Sequence, residues 1–160
     1  MSSTEAVTRG ATRLLLELGY APMTEVPLTN GRRADIVALN TSGHCVIVEV
    51  KSCLADFRSD NKWQEYLEYG EEFYFAVDQD FPRDVLNEET SLPDITGIII
   101  ADGYGGEIIR PAALRRVNAA RKKTLTLKIA RLGGMRLAEQ AVGAPAVTRS
   151  GSAVGLRSLL

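Results

Sequence analysis

Residues 33–51 read Arg-Ala-Asp-Ile-Val-Ala-Leu (33–39), Asn-Thr-Ser-Gly-His (40–44) and Cys-Val-Ile-Val-Glu-Val-Lys (45–51). Two apolar, β-branched runs separated by a turn-forming Asn-Thr-Ser-Gly cluster predict a β-hairpin. With a three-residue loop, Thr41 to Gly43, Asn40 faces His44. Counting back, Leu39 faces Cys45 and Asp35 faces Glu49. The two carboxylates then stand roughly 5 Å apart at Cβ. Side chains alternate along a strand, so Glu49 and Lys51 share one face while Val46, Val48 and Val50 share the other. A loop one residue longer or shorter would shift this register.

Outward from the hairpin, residues 4–18 predict a helix. Thr4 is the expected N-cap, Val7, Ala11, Leu14, Leu15 and Leu18 recur at helical spacing, and Gly19 is the expected stop. Residues 23–28 predict a short strand ended by Pro27 and the Asn30-Gly31 turn. On the other side, residues 54–71 predict a second helix with Leu54, Phe57, Trp63, Tyr66, Leu67 and Gly70 on one face. Residues 73–78 and the Ile-rich 95–102 predict strands, the latter buried on both faces. A loop with a helical turn joins them through Pro82 to Pro93. Gly103-Tyr104-Gly105-Gly106 predicts a turn into a short strand, 107–110, and a basic helix is expected over about 112–132, with Pro111 at its start. The order of elements predicts an α/β fold with a mixed central sheet flanked by helices. Residues 1–132 are expected as one domain and 133–160 as a basic tail, weakly helical over 135–142 and mobile from Gly143.

Composition agrees with this. A 160-residue chain with 45% hydrophobic and 24% charged residues can bury one core without staples. Two cysteines, Cys45 and Cys53, cannot frame a disulfide scaffold and point to a reducing cytoplasm. No apolar run approaches a membrane span, and no signal peptide is expected at the start. The net charge of -1 conceals an asymmetry. Residues 1–109 carry 8 Lys+Arg against 19 Asp+Glu, whereas residues 110–160 carry 11 Lys+Arg and a single acid, Glu139. Such a basic end is expected to meet a polyanion, unless it balances the acidic body of its own chain.

Charges in central strands are costly unless they are used. Asp35, Glu49 and Lys51 each interrupt an apolar strand. Two carboxylates this close repel each other unless a cation lies between them. Their oxygen donors favour Mg²⁺ or Mn²⁺, and Mg²⁺ keeps several waters when one or two carboxylates hold it. A nearby lysine can orient a metal-bound water or meet charge on a phosphorane. Metal-assisted phosphodiester hydrolysis is the expected chemistry. The competing reading makes Glu49 and Lys51 solvated charges on a half-exposed strand.

A helix, a hairpin bearing Asp, then Glu-x-Lys and a further helix resembles the PD-(D/E)XK nuclease superfamily with its restriction-endonuclease-like fold. More narrowly, Arg33-Ala34-Asp35-Ile36, Val48-Glu49-Val50-Lys51-Ser52, Asp56-Phe57-Arg58, Asp60, Lys62-Trp63 and Tyr66 resemble the MmcB family of bacterial DNA-repair proteins, over about residues 4–130. Ala34 stands where the superfamily's name pattern has Pro. The resemblance implies a metal-dependent DNA nuclease of repair. Asp35 and Glu49 would hold the metal with the Val50 carbonyl, and Lys51 would be the catalytic lysine. In this superfamily a first-helix glutamate often assists; Glu5 is the candidate and Glu17 the weaker one. Helix-dipole stabilisation explains Glu5 equally well. A catalytically silent DNA-binding or regulatory module of the repair machinery is the rival. DNA is the expected partner, with other repair proteins second, at the bacterial nucleoid.

Around this core, Ser52, Asp56, Asp60, Lys62 and Trp63 are expected to support the site or touch DNA. Asp56 and Asp60 would lie one helical turn apart, and Trp63 is expected either to pack the helix on the sheet or to stack on an unpaired base. Arg115, Arg116, Arg121, Lys122 and Lys123, followed by Lys128, Arg131 and Arg136, form a basic run with almost no acids. It suits sequence-independent phosphate contact. His44, Cys45 and Cys53 lack zinc-site spacing. Gly103-Tyr-Gly-Gly lacks the Gly-Lys-Ser/Thr of a phosphate loop.

Overall fold

The computed structural model describes residues 1–143. Six strands form one sheet in the order β1-β2-β3-β4-β5-β6: β1 Ala21–Pro27, β2 Arg33–Leu39, β3 Cys45–Val50, β4 Glu72–Val77, β5 Gly97–Ala101 and β6 Gly106–Arg110. The first three strands pair antiparallel, β3–β4 and β4–β5 pair parallel, and β5–β6 is antiparallel. The helices are α1 Ser3–Glu17, α2 Leu54–Ser59 and α3 Ala119–Val142. This is the mixed α/β arrangement that the element order predicts. Among the described residues, no helix is long and apolar enough to cross a membrane.

Helix α1 covers one sheet face. Its Val7, Ala11, Leu14 and Leu15 join Ile36, Ala38, Val46, Val48, Val50, Tyr74, Ala76, Ile99 and Ala101 in one core. Gly10 lets α1 approach the β5–β6 turn: a Cβ there would lie 2.1 Å from the Asp102 carbonyl oxygen. The N-cap is Ser2, not Thr4. Ser2 Oγ accepts the Glu5 amide (3.2 Å) and Glu5 Oε2 accepts the Ser2 amide (2.7 Å), a capping box that starts the helix earlier than expected. The opposite face carries an aromatic layer: Phe75 meets Trp63, Phe57 and Phe73 with ring centroids 4.8–5.3 Å apart.

The parallel pairs require crossovers, and these differ from expectation. The single helix predicted over 54–71 is two pieces, α2 and a 3₁₀ turn at Trp63–Tyr66. Asp60 breaks it. Its backbone turns extended (φ -88°, ψ 96°), and its Oδ1 accepts the Lys62 amide at 2.9 Å. Asp56 and Asp60 therefore do not share a helical face. The loop from 82 to 93 holds two 3₁₀ turns, Arg83–Asn87 and Glu89–Ser91.

The basic helix is also displaced, to 119–142 from the expected 112–132. Residues 111–118 are instead tied down by backbone bonds to other segments, Ala113 N to Ile95 O (3.0 Å) and Arg115 N to Glu71 O (2.8 Å). Asn118 Oδ1 accepts the Ala120 and Arg121 amides and starts α3. Leu125 and Ile129 bury that helix's apolar side. Gly133 and Gly134 continue the helix rather than ending it. Residues Met1–Ile129 form one compact unit, and Ala130 opens a second, whose described part is the remainder of α3. The mobile tail expected from Gly143 falls, beyond Gly143 itself, outside the described residues.

Candidate active site

The hairpin register is as predicted. Ile36 pairs with Val48 and Leu39 with Cys45, and Asn40 N donates to His44 O at 3.1 Å, so Asp35 stands across from Glu49. Each carboxylate is bound into the other strand's backbone. The Asp35 amide donates to Glu49 Oε1 (3.1 Å), and the Val50 amide donates to Asp35 Oδ2 (2.8 Å). Glu49 is only 4% exposed and Asp35 is half-buried. Burial, and then the negative charge of Asp35, push the Glu49 carboxyl up to about 8. Burial also raises Asp35, against the Val50 amide and Lys51, which favour its charged form.

Lys51 continues the alternation of β3 onto the Glu49 face. It is 5% exposed, and its Nζ donates to Asp60 Oδ2 at 2.6 Å. Partial burial acts to raise Asp60, but hydrogen bonds from Lys51, Lys62 N–H and Trp63 N–H outweigh it and hold the carboxyl below its ordinary value. The break in the predicted helix thus has a purpose: it turns the Asp60 carboxylate back onto the lysine. Asp56 accepts the Ser52 amide at 3.3 Å, bracing the turn after Lys51. Tyr66 donates to the Arg33 carbonyl (3.0 Å), and burial plus the charges of Glu49 and Asp35 push its phenol to about 12.

The donor set suits a hard divalent cation. Asp35 and Glu49 each give one oxygen to a backbone amide, and a cation would offset the burial that raises both carboxyls and the Asp35 charge that raises Glu49 further. Among the described residues, no group of three or more His, Cys, Asp or Glu side chains is arranged to hold a metal. A cation here would keep waters in its remaining positions. Glu5 is held by Ser2 in the capping box, whose backbone and hydroxyl hold its carboxyl below the ordinary value. It nonetheless lines, with Asp35, Glu25 and Arg9, a cleft of about 480 Å³ between α1 and the β1–β2 edge. Ser3 Oγ donates to Asp78 Oδ2 (2.8 Å), fixing the start of α1 at the carboxyl end of β4.

The family model of MmcB-like DNA repair proteins matches residues 2–144. The chain belongs to the MmcB-like family of DNA repair proteins. Its fold is similar to a solved structure described as the SPO1766 protein of unknown function from Silicibacter pomeroyi, with 32% identity and a TM-score of 0.83 over 93% of this chain and 99% of that one. No curated protein matches the chain.

The other predicted positions of this MmcB-like chain are distributed unevenly. Trp63 is 3% exposed and packs on Phe73 and Phe75, so it is a core residue rather than a stacking platform. The Lys62 side chain is exposed. Of the basic run, Arg121 pairs with Glu68 (3.3 Å) and lies over the Tyr69 ring, Lys122 pairs with Glu71, and Arg115 reaches the Leu67 carbonyl. Arg116 and Lys123 are exposed. Part of the basic run therefore meets the acidic body of its own chain. Glu25 escaped sequence reasoning. It faces the Asp35 position from β1 with φ 51°, in the left-handed region that non-glycine residues rarely occupy, and no residue pattern announces such a conformation.

Proposed function

We propose that this MmcB-like protein is a metal-dependent DNA nuclease of repair, built on a PD-(D/E)XK-type core. The observation that carries the reading is the register that sets Asp35 across from Glu49 with Lys51 next on the same face. Asp35 and Glu49, with the Val50 carbonyl, would hold Mg²⁺ or Mn²⁺, and Glu5 stands in reserve at the shared cleft. A bound divalent ion lowers the pKa of its water and neutralises phosphate oxygens. Lys51 holds a proton at Nζ and offers positive charge to the phosphate as its charge develops. Asp60 orients that ammonium. The exposed Arg116 and Lys123 contact the phosphate backbone without reading sequence.

A second reading, a non-catalytic DNA-binding module, draws on two observations: Lys51 is already neutralised by Asp60, and among the described residues two carboxylates converge rather than three. Labelled single-stranded, duplex and branched DNA, incubated with Mg²⁺ or Mn²⁺, separates the two. Metal-dependent cutting by wild type and none by Lys51→Ala supports the nuclease. Equal, salt-sensitive DNA binding by both proteins with no cutting of any substrate supports the binding module.

A further inference from the structure

We propose that the cavity beside Asp60 binds a single unpaired nucleobase of the DNA strand presented to Asp35, Glu49 and Lys51; the inference rests on the DNA reading above. The cavity measures about 340 Å³, at the lower end of the roughly 300–1,000 Å³ of small-molecule sites. Its walls come from the two crossovers that connect the parallel strands, 51–71 and 78–96. Phe57, Trp63 and Val85, all core residues with little exposed surface, close its floor.

The rim has a different character. Arg58, Asn61 and Gln64 are exposed, and their side chains make no hydrogen bond or ion pair within the described residues. Arg58 brings donors only, whereas each amide brings two donors and an acceptor. Glu88 stands on the far rim. The lining holds one cation, Arg58, against two carboxylates, Glu88 and Asp60, and Lys51 offsets the second, so the cavity favours neither a phosphate nor a metal. A small, uncharged body with a mixed donor–acceptor edge is what its rim matches, and that describes a base removed from its stack.

Asp60 lines this cavity and also holds Lys51 Nζ at 2.6 Å. A phosphodiester at Lys51 therefore has its neighbouring nucleoside at the cavity mouth. Duplex DNA keeps its bases stacked and turned inward, so this occupancy selects an unpaired nucleotide: a single strand, a flap or an extruded base.

The test uses the full chain in EDTA, which suppresses cutting, and oligonucleotides carrying 2-aminopurine at successive positions with a distant fluorescein. Anisotropy reports strand binding, and 2-aminopurine emission reports the base's surroundings. One strand position is expected to change its emission on binding. Asn61→Ala/Gln64→Ala and the cavity-filling Thr90→Phe should abolish that change and weaken strand binding roughly tenfold, with thermal unfolding confirming that both variants fold. Binding by anisotropy with no responsive position, or with responses unaltered in the variants, overturns the base site while leaving DNA binding standing. A response to free 2-aminopurine deoxyribonucleoside monophosphate but to no strand makes the occupant a mononucleotide and overturns the strand assignment. Absence of any binding overturns both this inference and the DNA reading. Failure to cut DNA in Mg²⁺, with the emission change intact, removes the nuclease alone.

Discussion

Asp35 and Glu49 are cross-braced: the amide of Asp35 donates to Glu49 Oε1, and Asp35 Oδ2 in turn accepts the amide that follows Glu49. The backbone of the two strands thus fixes both carboxylates. Two acids held together in a buried place are destabilising when both are charged, and that cost makes their function measurable.

The first consequence is a dependence of stability on pH. Glu49 has its pKa raised to about 8 from an ordinary value of 4.5. Between these values the folded protein holds a proton that the unfolded chain has released, so stability falls as pH rises from about 5 to about 8. Urea unfolding without metal should show that decline. Glu49→Gln should flatten it, and millimolar Mg²⁺ should oppose it in wild type alone. A flat profile in metal-free wild type contradicts the assignment.

Removing Asp60 leaves the Lys51 ammonium buried without its partner. Asp60→Ala should cost about 3 kcal/mol. Lys51→Met in the same chain should recover much of that loss, because the uncompensated charge goes with it. A double-mutant cycle in denaturant checks the coupling; additive losses would mean that the pair is not the stabilising contact.

The glycines of the two helices should respond in opposite ways. Gly10→Ala drives a methyl group against the Asp102 and Gly105 carbonyls and should destabilise by about 2 kcal/mol or more. Gly134→Ala meets nothing within 4 Å inside α3 and should stabilise that helix by about 0.5–1 kcal/mol. Thermal melts and helical circular dichroism distinguish the two.

Phosphate contact is assigned to the exposed cations rather than to the paired ones. Arg116→Ala and Lys123→Ala should each reduce the salt slope of DNA binding by about one and leave stability unchanged. Lys122→Ala should instead lower stability, since it strips Glu71 of its ion-pair partner. Anisotropy titrations across a salt series, read beside unfolding curves, test this division.

Much of this architecture is written locally. The Asn40–His44 loop length sets the register that pairs Asp35 with Glu49, and alternation along β3 assigns Glu49 and Lys51 to one face. What sequence reading misplaces is where distant groups compete for the backbone. Leu54 to Glu71 has a helical pattern, but Asp60 answers Lys51 and its own following amides, and the helix ends. Pro111 resembles a helix start, yet the bonds from Ala113 to Ile95 and from Arg115 to Glu71 keep that stretch out of the helix until Asn118 caps it. Gly133-Gly134 reads as a stop, but the helix tolerates the pair at roughly 1 kcal/mol each. The cavity beside Asp60 was illegible for a related reason. It is made by two crossovers distant in sequence, and its rim residues carry no pattern of their own.

If Asp35 and Glu49 together form a divalent-cation site, Mn²⁺ binding followed by electron paramagnetic resonance will report it. Wild type should take up one Mn²⁺ per chain, with waters still on the ion, and Glu49→Gln should lose that uptake while remaining folded. Absence of uptake by wild type at millimolar Mn²⁺, or uptake undiminished in Glu49→Gln, would contradict it.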